Sequence, residues 1–63
     1  MRTERSYYAK FDDGHDYHFV NFVSAGRKGS AENTDDAKNA ARRQFGSGAR
    51  YWKLLSVERG TIE

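Results

Sequence analysis

Two aromatic-rich runs flank one tight turn near the start of this chain, and they constrain its fold more than any other feature. Residues 6–11 read SYYAKF and residues 17–23 read YHFVNFV, with DDGH beginning the connection. Aromatic and β-branched residues favour the pleated, half-buried surface of a strand. Asp-Gly between two such runs is the strongest short-range hairpin signal. An antiparallel hairpin is therefore the expected nucleus of the fold.

A helix follows. Ala37, Ala40, Ala41 and Phe45 recur at helical spacing and form an apolar stripe. Thr34 is the expected N-cap, with Asp35 and Asp36 in the first turn, where the helix dipole favours acids. Ser30 is the alternative cap, which starts the helix one turn earlier. Gly46 stands where a left-handed C-cap belongs. Residues 50–58, RYWKLLSVE, read as a third strand. The class is α+β, in the order ββαβ. A three-stranded sheet, made of the hairpin plus the third strand, carries one helix packed on one face. Residues 1–63 form a single small domain, with an ordered core over about 6–59.

Sixty-three residues bury little surface, roughly 60% of what the unfolded chain exposes. The nine aromatics among them must supply much of the core. There is no cysteine, so disulfides and thiolate metal sites are excluded. No long apolar run is present, and the chain is expected to be a cytoplasmic protein with no membrane partner. A chain this small also leaves little room for a closed pocket. With no Cys nucleophile and no HExxH motif, the expectation is a non-enzyme with no cofactor and no small-molecule substrate.

The net charge of +2 is modest, but its distribution is not even. Lys38, Arg42, Arg43, Arg50 and Lys53 fall within residues 37–53, where there is no acid. Lys38 and Arg42 lie four apart and share a helix face, at a cost of roughly 0.2–0.5 kcal/mol for like charges. Arg50 and Lys53 flank Tyr51 and Trp52. Cations interleaved with rings are what single-stranded nucleic-acid binders use, because bases stack on rings while cations follow the backbone. Arg27 and Lys28 sit between Gly26 and Gly29 just before the helix. The expected first-turn acids Asp35 and Asp36 would repel a phosphate held at the helix N-terminus, so the loop is not expected to cradle a nucleotide phosphate, but the two cations are expected to assist by touching phosphates through their side chains. A solvated surface is the plain alternative for both groups. The segment DDGHDYH holds three carboxylates and two imidazoles, but its spacing matches no zinc or EF-hand site, so no metal is expected.

Alternation along the strands adds a second surface. Tyr17, Phe19 and Val23 point one way from the sheet, while His18, Val20 and Phe22 point the other. Leu54 and Leu55 must also oppose each other. Both sheet faces carry apolar groups, and one helix covers only one of them. The other face is covered by the termini, by a second copy of the chain or by a foreign partner. Tyr8, Phe22, Tyr51 and Trp52 are the candidate stacking or partner-face residues.

The run YYAKFDDGHDYHF…GSAENTDDAKNAARRQFG resembles short, uncharacterised proteins of bacteriophages and prophages. The residues that carry the likeness are 7–11, 13–15, and Gly29, Ser30, Asn33, Asp36 and Ala37. The resemblance implies an accessory protein of a mobile element, made in a bacterial host cell, and brings no catalytic residue. Such proteins bind nucleic acid or disable a host or defence protein. The leading expectation is nucleic-acid binding through the basic helix face. The alternatives are an inhibitor or adaptor acting on a host or defence protein, such as a CRISPR or other nuclease inhibitor, and a small self-associating structural subunit.

Overall fold

The structure is a computed structural model that describes residues 3–62. Two strands, β1 (Arg5–Asp12) and β2 (Tyr17–Ser24), form the expected hairpin. The helix α1 (Ala31–Phe45) follows, then a short 3-10 helix (Ser47–Tyr51) and β3 (Lys53–Arg59). The sheet order is β2-β1-β3, and β1 pairs antiparallel with both neighbours. This is the α+β fold expected from the sequence. No helix among the described residues is long and apolar enough to cross a membrane.

The hairpin turn is built around one carboxylate. Asp13 Oδ1 accepts from the backbone N–H groups of His15 and Asp16, both at 2.7 Å. Gly14 adopts φ +99°, a left-handed conformation that costs glycine little. From that turn the pleat sends Tyr7, Ala9, Phe11, Val20 and Phe22 to one face, where all are buried. Ala37, Ala40 and Ala41 of α1 pack onto them. Small helix residues against large sheet residues let the two layers approach closely.

The helix starts at the earlier of the two candidate caps. Ser30 Oγ accepts from Asn33 N at 3.1 Å, and Thr34 N donates to Ser30 O. Thr34 therefore lies inside the helix rather than capping it. The reason is Asn33, fully buried, whose side-chain amide donates to Gly26 O at 3.3 Å. That contact requires Asn33 in the first turn. Gly46 closes the helix, with its N–H on Arg42 O, but at φ +97° and ψ 175° it is extended on the positive-φ side rather than in the left-handed helical cap expected.

The third strand starts three residues later than residues 50–58 suggest. Residues 47–51 wind into the 3-10 turn, which buries Ala49 against the core. Phe11 then faces Leu54, while Lys10 faces Ser56, so Leu55 is the extra residue of a β-bulge. Leu54 packs against the core, and Leu55 stays exposed.

The face away from α1 is only partly covered. Gly60 N donates to Ser6 O, and the Ile62 backbone exchanges two hydrogen bonds with the Asn21 side chain, at 2.6 and 2.9 Å. Residues 60–62 thus reach from β3 past β1 to Asn21 of β2. Tyr17, Phe19 and Val23 remain 61%, 45% and 56% exposed on the same face.

Candidate nucleic-acid interface

The helix sorts its charge along its length. Glu32 is in the first turn, and Arg42 and Arg43 are in the last. Each sign meets the dipole end that favours it, by roughly 0.3–1 kcal/mol per charge. Lys38, Arg42 and Arg43 are all exposed. Arg42 donates to Asn39 Oδ1 one turn back, while Arg43 points about 100° further round the axis. The three therefore wrap the C-terminal half of the helix rather than forming a single row.

The 3-10 turn brings Arg50 and Tyr51 to that same end of α1. The Arg50 guanidinium lies 4.8 Å from the Tyr51 ring centre and donates to its hydroxyl at 2.6 Å. Tyr51 is 76% exposed. Lys53 is exposed at the start of β3, opposite Asp12 in the ladder. An exposed ring with a guanidinium over it is thus presented just after the helix end that carries Arg42 and Arg43.

Two of the ring residues named from sequence are placed elsewhere. Trp52 stacks on His18 at 4.2 Å and 11°, and its ring also meets Phe45 at 5.1 Å and Phe11 at 6.3 Å. It closes the end of the core, with His18 stacked against it. Phe22 is buried and stacks on Tyr7 at 5.6 Å, because alternation in β2 turns it toward the helix. It is not part of a partner face. Tyr8 keeps its place on the face away from α1, half-buried, opposite Asn21 and Glu58.

The loop carrying Arg27 and Lys28 is firmly held. Gly26 O accepts from the Tyr7 hydroxyl and the Asn33 amide, both at 3.3 Å. Gly26 N donates to Ser24 Oγ at 3.0 Å, and that hydroxyl donates to Asp36 at 2.6 Å. Lys28 reaches across to Glu58 at 2.8 Å, both side chains being about half exposed, so the pair adds little stability. Sequence reasoning missed two further cations here. Arg5 and Arg59 join Arg27 and Lys28 around one open cleft of about 510 Å³. These arginines lie near opposite ends of the chain, and no local pattern links them.

The turn His15 is exposed, whereas His18 is engaged on both its edge and its face. His18 Nε2 meets Asp13 Oδ2 at 2.7 Å. The Asp13 carboxyl is held well below the usual carboxylate range, first by the Asp16 N–H, then by His18 and the His15 N–H. Among the described residues, no group of three His, Cys, Asp or Glu is arranged to hold a metal ion. No family model, curated protein or solved structure matches the chain.

Proposed function

We propose that this chain is a non-enzymatic accessory protein, of the phage type its sequence resembles, that binds nucleic acid through the C-terminal end of α1 and the adjoining 3-10 turn. The observation that carries this is the exposed Tyr51 ring with the Arg50 guanidinium against it, beside the exposed Arg42 and Arg43. In this arrangement Tyr51 stacks on a base, while Lys38, Arg42, Arg43, Arg50 and Lys53 follow the phosphates. Five phosphate contacts give a log–log salt slope near −3.5 on a single strand, at about −0.7 for each.

Fluorescence anisotropy with single-stranded DNA, duplex DNA and RNA at low and physiological salt tests this. Changing Lys38, Arg42 and Arg43 to glutamate removes three of the five contacts and abolishes binding, while circular dichroism stays that of a folded chain. Absence of binding to all three nucleic acids at low salt rejects the proposal. The exposed Tyr17, Phe19 and Val23 favour a second reading, a protein partner on the outer sheet face. Binding to a protein target that is weakened by Phe19→Ser, with no nucleic-acid binding, selects that reading.

A further inference from the structure

The sheet register creates a cationic site at the end of the molecule opposite the Tyr51 ring. Arg5 opens β1 and Arg59 closes β3. Arg59 lies directly opposite Tyr7, and Arg5 is two residues before Tyr7 in the same strand. Alternation therefore sends both guanidinium stems to the helix side of the sheet. The loop between β2 and α1 brings Arg27 and Lys28 to the same place. The four line one open cleft with Tyr7 and Gly26, and among the described residues no carboxylate lines it. Lys28 is engaged by Glu58 outside it. The side chains of Arg5, Arg27 and Arg59 take no hydrogen bond or ion pair among the described residues.

Three arginines facing one cleft that no carboxylate lines repel one another, and an anion between them relieves that repulsion. Guanidinium groups meet phosphate oxygens through paired, charge-assisted hydrogen bonds. A phosphate monoester carries about −1.5 to −2 charge at pH 7, a closer match to three arginines than the single charge of a backbone diester. The hydrogen bonds that pin Gly26 also pre-set the position of Arg27, so little ordering is left for binding to accomplish. We propose that this cleft binds a phosphate monoester, either the terminal phosphate of a nucleic-acid strand or the same group on a free nucleotide. The strand as a source rests on the nucleic-acid reading above; the site itself does not.

The test is amide NMR on the full chain, titrated with thymidine 5′-monophosphate, with thymidine, and with oligothymidylate bearing a 5′-phosphate or a 5′-hydroxyl. The monophosphate is expected to give saturable shifts at Gly26, Arg27 and Lys28, and thymidine none. Arg27→Ala and Arg59→Ala should each weaken the monophosphate by about tenfold or more, as loss of a charged hydrogen bond does. A strand that binds more tightly when 5′-phosphorylated, with the preference lost in Arg59→Ala, identifies the strand end as the source. Saturable binding of the monophosphate with no such preference identifies the free nucleotide. No saturable shift at the loop with the monophosphate or the phosphorylated strand overturns the cleft, even if the hydroxyl strand binds at Tyr51. Equal affinity in the arginine variants also overturns it. Failure of every strand to bind, with the monophosphate still saturating the loop, counts against the nucleic-acid reading alone.

Discussion

Tyr51 and Trp52 are neighbours in the chain with opposite surroundings, and replacing each by alanine separates a binding role from a structural one. Trp52 holds Phe11, His18 and Phe45 together at the end of the core. A fully buried Trp→Ala change costs about 3–5 kcal/mol. Trp52 is only partly buried, which brings the figure down to about 2–3 kcal/mol. A domain of this length holds about 3–9 kcal/mol in total, so Trp52→Ala removes a large share of it. At about 4–8 °C per kcal/mol, the melting point falls by roughly 8–24 °C. Tyr51→Ala should leave stability within about 0.5 kcal/mol, because its ring is 76% exposed with the Arg50 guanidinium over it. Its effect should appear in nucleic-acid affinity, at about 1–3 kcal/mol for a lost stacking partner. Thermal melts followed by circular dichroism, with anisotropy on both variants, provide the readout. A Trp52→Ala protein that melts within a few degrees of the parent but loses binding would refute the argument, since the ring would then face the ligand and not the core.

Three further outcomes follow from particular contacts. The Asp13 carboxyl is depressed in the folded chain, so its charge stabilises the fold above the unfolded value of 3.8, and this contribution is lost as pH falls through the folded value. Urea midpoints of Asp13→Asn should therefore lie below those of the parent at neutral pH and converge with them in acid; a gap unchanged down to about pH 2 contradicts this. Gly26→Ala places a Cβ 2.8 Å from Ser30 Oγ and 2.9 Å from Asn33 N, which should cost about 1–3 kcal/mol in denaturant unfolding and loosen the Arg27 loop. Ser30→Ala removes the N-cap acceptor and should cost about 1 kcal/mol by the same measurement.

The elements written in local pattern were legible before the structure. The alternation of 17–23 divides β2 into two sets but does not say which is buried, and it is the Val20–Phe22 side that meets the helix. The alanine spacing marks the buried part of α1, whereas Phe45, at the end of that stripe, is 48% exposed. What depended on contacts between distant residues was not legible. Ser30 prevails over Thr34 as the cap because Asn33 must reach Gly26, a loop residue. The 3-10 turn exists because Ala49 finds a place in the core, which no propensity at 47–51 reveals. Strand order was equally hidden, and with it the partnership of Arg5 and Arg59. Of the candidate residues, the cations and Tyr51 are exposed, Phe22 is buried and Trp52 is half-buried among rings, because rings near cations in sequence can equally well serve the core.

The bulge at Leu55 bears on why the sheet stops at three strands. An open sheet offers two rows of unpaired backbone groups, and such rows recruit strands from other molecules until fibres form. A bulge bends and twists the strand that carries it, so the outer row of β3 is not a straight template. Lys53, Glu58 and Arg59 add charge along that strand. At the other margin, Gln44 Nε2 reaches down from α1 to Asn21 O at 2.9 Å and engages an acceptor that an added strand would need. Both margins are blunted by different means, each of which works against the addition of a further strand.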